Sequence, residues 1–151
     1  MKNRNVNLVI YWANWANMDI EKYMKERVDV QIIWHDQKSN CNKWAYVVFS
    51  VVAIVGSITA GITVHYCKLI ATILSALVAI SVGLNNLLKF QEKWMLYRAT
   101  SELLKSEKFK FKVNAGEYGN TDSEKLFYDK IESILNNTNQ KWLQFFDKET
   151  D

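Results

Sequence analysis

Hydrophobic and polar positions divide the chain into three regions, and the middle region is nearly free of charge. Two apolar segments, residues 44–64 and 69–88, contain no charged residue, and Lys68 is the only charge in the short segment 65–68 that separates them. Each segment is about 30 Å long as a helix, which matches the hydrocarbon core of a bilayer. Both are apolar on all sides, whereas a hairpin in a soluble protein keeps a polar face. The pattern predicts two transmembrane helices joined by an outer loop.

The region before the spans is amphipathic and predicts one helix over residues 19–43. Residues 1–18 precede it and contain aromatic residues that suit a membrane interface, namely Tyr11, Trp12 and Trp15. Their apolar run is too short for a signal peptide. We therefore expect either a tail or an interfacial segment there.

The region after the spans, residues 89–151, predicts a cytoplasmic helical region. No glycine or proline separates the second span from it, and an apolar stripe continues at three- and four-residue spacing through Leu87, Phe90, Trp94, Tyr97 and Leu104. We expect the second helix to run unbroken through residue 108. A loop over 109–120 and a helix over 121–146 follow, with a capping box at Thr121 and Glu124. The predicted fold is an all-α membrane protein, a two-transmembrane hairpin whose second helix extends into a cytoplasmic bundle.

Charge fixes the expected orientation. The net charge of +3 is too small to indicate a nucleic-acid partner. Lysine and arginine are frequent on both outer flanks of the spans, and the loop between them has Lys68 alone. By the positive-inside rule both termini are cytoplasmic. Cys41 and Cys67 then lie a membrane thickness apart and cannot form a disulfide within one chain.

Small residues recur along both spans and predict close helix packing. In the second span they are four residues apart, and in the first they form two pairs at the same spacing. The packing partner is either the other span of the same chain or a second copy, and we expect some of this surface to meet another copy. The residues are Ala71, Ser75, Ala79 and Gly83, with Gly56 and Ala60, and Ser57 and Gly61.

Polar residues in the spans are candidates for a narrow pore or its cytoplasmic mouth. Hydroxyl groups in helices often donate to a carbonyl of their own helix instead, and this alternative applies to most of the hydroxyls here. Asparagine amides satisfy themselves less easily. The candidates are Ser50, Ser57, Thr72, Asn85 and Asn86.

Signals for enzymatic chemistry are weak. His35 and Asp36 form an isolated pair, the two cysteines belong to no zinc motif, and no phosphate-binding loop is present. We expect no catalytic site, cofactor or metal.

An antiparallel hairpin would bring the charged ends of its two helices together below the membrane. We expect Arg98 to pair with Asp36 or to stack on Trp34, and Arg27 to pair with Glu102. Gln31 and Trp94 lie on the same two faces, and Tyr97 belongs to the apolar stripe next to Arg98. These eight residues are the predicted coupling site between the cytoplasmic helices and the spans.

Two motifs carry a family resemblance. The segments YMKERVDVQIIWHDQK and KFQEKWMLYRATSELLKSE resemble the bacterial SLATT superfamily of two-transmembrane effector domains, in the branch long catalogued as a domain of unknown function. His35 replaces a more usual tyrosine, and the first span lacks a proline often seen there.

The resemblance implies an effector in the bacterial inner membrane that opens pores when a separately encoded nucleotide-signalling or sensor protein detects infection. We expect an oligomeric, regulated pore or membrane-disrupting protein. Two alternatives are a non-conducting anchor or sensor that recruits a soluble partner, and a housekeeping ion channel.

Overall fold

The computed structural model describes residues 19–119 and 122–147, with side chains to residue 144. Within these ranges all regular secondary structure is helical. The expectations for residues 1–18 and for the Thr121 cap lie outside them. The helices are α1 (Ile20–Thr63), α2 (Lys68–Leu88), α3 (Phe90–Lys112), a 3-10 turn (Gly116–Gly119) and α4 (Ser123–Asp147). The predicted all-helical class and the two long apolar helices are confirmed.

Helix α1 joins the predicted amphipathic helix and the first apolar segment into one helix of 44 residues. Asp19 caps its N-terminus, and the Asp19 side chain accepts a hydrogen bond from the Glu21 amide at 3.4 Å. One π-helical turn, Met24–Val28, lies near its start and the remainder is α-helical. The polar and apolar parts of α1 are therefore mechanically continuous.

Helices α1 and α2 pack antiparallel along their apolar lengths. The Asn85 amide donates to the Ser50 hydroxyl at 3.2 Å, near one end of the contact. At Gly56 a Cβ atom would lie 2.7 Å from a methyl group of Val78, so the helices approach too closely there for a larger residue. Ala60 is also buried in the contact between α1 and α2, with 8% of its surface exposed.

The predicted unbroken second helix is interrupted at Lys89. This residue has left-handed backbone angles (φ 47°, ψ 44°), so α2 ends at Leu88 and α3 begins at Phe90. The prediction of an unbroken helix is wrong at this residue, because lysine is not a helix breaker and its local sequence does not indicate a left-handed conformation. Helix α3 also runs to Lys112, four residues beyond the predicted end.

The hydrophobic core lies outside the apolar segments. It joins the N-terminal part of α1 to α3, the 3-10 turn and α4, and its most buried large side chains are Tyr23, Val28, Leu104, Phe127 and Ile131, each at most 1% exposed. Phe111 stacks on Phe127 with ring centroids 4.5 Å apart. The charged half of the sequence therefore forms the compact part of the molecule.

Few residues in the apolar lengths of α1 and α2 are buried. Only 6% and 11% of their most apolar 18-residue windows are buried. Two helices packed side by side cover only one stripe of each other, so most of their surface needs another environment.

Candidate functional site

The contact of α1 with α3 is organised around Asp36. Its carboxylate accepts a hydrogen bond from the Ser101 hydroxyl at 2.6 Å and pairs with the Lys105 ammonium at 2.8 Å. Partial burial raises the pKa of Asp36, but the hydrogen bonds from Lys105 and Ser101 outweigh it and hold that pKa below its usual value. Asp36 is therefore an ionised anchor between the two helices.

The sequence predicts that Arg98 pairs with Asp36, but Lys105 forms that ion pair instead. Arg98 pairs with Glu102 on its own helix at 3.1 Å, and both side chains are more than half exposed. The side of α3 that meets α1 carries Trp94, Ser101 and Leu104, because these positions follow the three-four spacing of a buried stripe. Of the α3 residues predicted to face α1, Trp94 lies on this side, whereas Arg98 and Glu102 are exposed and pair with each other.

Trp34 contacts an aromatic ring on α3 rather than the guanidinium of Arg98. Its indole meets the edge of Tyr97 with centroids 5.5 Å apart, and the Lys38 ammonium lies 5.9 Å from the indole centroid. Trp34 therefore contacts α3 through Tyr97, and the predicted stacking of Arg98 is replaced.

Arg27 pairs with α4, and the predicted pair with Glu102 is wrong. The guanidinium donates from Nε and Nη2 to the two carboxylate oxygens of Glu132, at 3.2 and 3.1 Å. The Tyr23 hydroxyl donates to the same carboxylate at 3.0 Å. An antiparallel hairpin brings only α1 and the helix after the second span together, so it gives no position for α4.

Further polar contacts that sequence reasoning missed hold the bundle together. Lys108 pairs with Asp29, and the buried hydroxyl groups of Thr100 and Thr138 lie 2.8 Å apart across α3 and α4. The sequence spacing alone does not show that these two threonines face each other, because that depends on how α3 and α4 are placed side by side. We call the whole set the coupling cluster; it contains Tyr23, Arg27, Asp29, Asp36, Thr100, Ser101, Lys105, Lys108, Glu132 and Thr138.

His35 lies buried beside the coupling cluster, with 4% of its surface exposed. Its Nδ1 is 2.7 Å from the Gln31 carbonyl oxygen, a geometry that requires the hydrogen on Nδ1. Burial lowers the pKa of His35 below its ordinary value and exceeds the opposing effects of the Gln31 hydrogen bond and of Asp36. The imidazole is therefore neutral at pH 7.

The polar residues of the apolar helices separate into two groups. Ser57 and Thr72 donate to carbonyls of their own helices, at 2.6 and 2.9 Å. Asn85 turns inward to Ser50, and its Oδ1 is buried without a hydrogen bond from any described residue. Asn86 is exposed. In one chain the predicted pore residues do not form a common lining.

Only part of the row of small residues on α2 is buried against α1 of the same chain. Ala71 is 6% exposed, whereas Ser75, Ala79 and Gly83 are exposed. A step of four residues rotates about 40° around a helix, so such a row winds off the contact after one or two steps. On α1, Gly56 and Ala60 face the contact while Ser57 and Gly61 are exposed.

Nothing in this arrangement resembles a metal centre. Among the residues that the structure describes, no group of three or more histidine, cysteine, aspartate or glutamate side chains could hold a metal ion.

These observations define a class: a helical protein with two long, exposed apolar helices attached to a small bundle held by buried polar contacts. The chain belongs to the family described as "Protein of unknown function (DUF4231)", whose model matches residues 30–126. The matched region contains the apolar part of α1 and all of α2 and α3. No curated protein and no solved structure matches the chain.

Proposed function

We propose that α1 and α2 cross a membrane as a hairpin and that the bundle lies on its cytoplasmic side. The observation that carries this proposal is the small buried share of the apolar windows, 6% and 11%. The core helix of a soluble protein would be mostly buried, and exposing this much apolar surface to water costs about 25 cal/mol per Å². Lipid removes that cost along the apolar parts of both helices.

The proposed activity is that of an oligomeric, regulated pore or membrane-disrupting effector in a bacterial inner membrane. Two helices cannot enclose a water path, so conduction requires several copies. The exposed side of α2 at Ser75, Ala79 and Gly83 supports close packing between copies, and the likeness of both charged motifs to SLATT effectors supports the effector role. A separately encoded nucleotide-signalling or sensor protein would supply the trigger.

The connection between bundle and membrane is α1 in this proposal. It runs without interruption from Asp36 in the coupling cluster to Ser50 beside Asn85, whereas Lys89 interrupts the path from α2 to α3. A rotation of the bundle would reach the buried Asn85 amide through α1. Helix shifts of this kind between two packed arrangements are a known switching mode.

The test compares Gly83→Leu with the matched variant Val82→Leu on the same helix. No atom lies within 4 Å of a Cβ built at Gly83, so leucine leaves the monomer intact and blocks only approach by another copy. We expect Gly83→Leu to yield monomers by light scattering in detergent, and to reduce ion flux in liposomes to the level of protein-free liposomes. Val82→Leu should keep both. A monomeric wild-type protein would contradict the proposal.

A second candidate function is a non-conducting membrane anchor that recruits a soluble partner through the bundle. The hydrogen bonds of Ser57 and Thr72 to their own helices favour it, because these hydroxyls then offer little to a water path. An oligomer that captures a partner yet passes no ions would support the anchor.

A further inference from the structure

One polar pair lies inside the apolar contact between α1 and α2, at the end of the contact nearer the bundle. The Asn85 amide nitrogen donates to the Ser50 hydroxyl at 3.2 Å, and α2 ends shortly after it, at Leu88. Ser57 and Thr72 donate instead to carbonyls of their own helices. The hydrogen bond of Asn85 therefore links the two apolar helices, which those of Ser57 and Thr72 do not.

The carbonyl oxygen of Asn85 is a buried acceptor without a donor. No residue that the structure describes donates a hydrogen bond to this Oδ1 atom. An oxygen in this position has lost the hydrogen bonds that it would make in water, so it destabilises the packed helices. Lipid offers no donor either. Water that reached Asn85 would therefore remove a cost that is present as long as the helices stay packed.

Two stacked phenylalanine rings lie between this polar pair and the bundle. Phe49 precedes Ser50 in α1, and Phe90 is the first residue of α3. Their ring centroids are 5.8 Å apart and their planes differ by 8°. We call the two rings the aromatic lid. Because α1 and α3 contribute one ring each, a shift of α1 relative to α3 separates them.

We propose that the aromatic lid is the gate of the pore and that Asn85 is the group whose hydration opens it. While the rings are stacked, they keep water away from Asn85, as apolar constrictions do in channels that close by dewetting. When the bundle moves α1 relative to α3, the rings separate and water donates to the Asn85 Oδ1. The contact between α1 and α2 then opens at this end.

This gate rests on the proposed function and assigns its regulation to named side chains. Hydration is favoured at Asn85 because water supplies a hydrogen bond that the closed arrangement lacks. It gains little at Ser57 or Thr72, whose hydroxyls already donate to their own helices. The lid also explains how movement in the bundle reaches the membrane, since one of its two rings belongs to α3.

The lid is tested by the access of a water-soluble thiol reagent to position 85. The full chain in lipid nanodiscs carries Asn85→Cys as its single cysteine, with Cys41 and Cys67 replaced by serine. We expect Phe90→Ala to speed modification about tenfold, because a methyl group no longer covers Phe49, and Phe49→Ala to do the same. The matched control is Phe109→Ala, at a ring 67% exposed near the other end of α3, which should keep the slow rate.

The role of Asn85 is tested by replacing the polar pair. Ser50→Ala leaves both ends of the amide without a partner, so we expect a lower unfolding temperature in detergent and faster ion flux in liposomes than for wild type. Adding Asn85→Leu makes both positions apolar, which should return the unfolding temperature to at least the wild-type value and reduce flux about tenfold. Thr59→Val removes an exposed hydroxyl that bonds its own helix, and should change neither.

The outcomes separate the gate from an ordinary structural contact and from the pore itself. Equal modification rates in Phe90→Ala and Phe109→Ala overturn the lid. A double variant that is less stable than wild type identifies a simple structural hydrogen bond, and overturns the role of Asn85, as does a double variant with wild-type flux. If the wild-type protein passes no ions under any condition, the pore fails, whereas modification at position 85 that still depends on Phe90 supports control of water entry by the lid.

Discussion

At the scale of single residues, His35 shows how burial gives one side chain a pH-dependent effect. Its pKa in the folded chain lies below the ordinary 6.5, so the unfolded chain binds a proton first as pH falls. Stability is unaffected above that value, where both states are neutral, and decreases as pH falls below it. Asp36 and Glu107, whose pKa values are also lowered, act only at more acidic pH, below their ordinary 3.8 and 4.5.

We therefore expect the wild-type bundle to lose stability between pH 7.5 and 5.5, and His35→Gln to lose less. The measurement is the thermal unfolding midpoint in detergent at both pH values. His65→Gln, in the exposed turn after α1, serves as the control and should keep the wild-type dependence. Identical pH dependence in all three proteins would refute the role of His35.

Gly56 provides a second test at this scale. The Cβ of alanine would lie 2.7 Å from Val78, and valine cannot move its methyl groups easily because its χ1 angle is restricted. We expect Gly56→Ala to destabilise the α1–α2 contact by about 1–3 kcal/mol, as overpacking usually does.

A double-mutant cycle isolates this contact. Val78→Ala should restore much of the stability that Gly56→Ala removes. Gly61→Ala, where no atom lies within 4 Å, should lack the penalty. If Gly56→Ala and Gly61→Ala behave alike, the helices do not approach as the structure shows.

At the scale of elements, the break at Lys89 separates α2 from α3. Left-handed backbone angles are unfavourable for residues other than glycine, so removing the Cβ atom at Lys89 should increase stability. Removing a Cβ atom inside a helix should decrease stability. We expect Lys89→Gly to be more stable than Lys89→Ala by about 1 kcal/mol. At Glu92, exposed and within α3, the order should reverse by a similar amount.

Chemical unfolding in mixed micelles measures both pairs. Comparing glycine with alanine at each position removes the contribution of the lost lysine or glutamate side chain. A preference for alanine at both positions would mean that α2 and α3 form one continuous helix, as the sequence pattern had suggested.

At the scale of the whole molecule, the proposed orientation places Cys41 in the cytoplasm and Cys67 outside. Both are free cysteines, the first exposed and the second half-buried in the turn between the long helices. A membrane-impermeant thiol reagent applied to intact cells should label wild type and Cys41→Ser equally and leave Cys67→Ser unlabelled. Labelling that depends on Cys41 instead would invert the topology.

The sequence by itself determined the features that depend on local composition. Two charge-free segments of bilayer length predicted the long apolar helices, because apolar length and charge act without reference to the rest of the chain. The buried positions Phe127, Ile131 and Leu135 in the last helix followed from their spacing alone. The hydrogen bonds of the Ser57 and Thr72 hydroxyls to carbonyls of their own helices could also be expected from the local sequence.

Only the tertiary structure decided which residues form ion pairs and where the second long helix is interrupted. Arg27 meets Glu132 across more than a hundred residues. Lys105 rather than Arg98 reaches Asp36, because Ser101 and Leu104 are the residues buried on the inner side of α3 and Lys105 is next to them. Charges on long side chains are compatible with several partners, so their spacing does not choose one. Lys89 has left-handed backbone angles, which no local preference of lysine could indicate, because residues other than glycine disfavour this conformation.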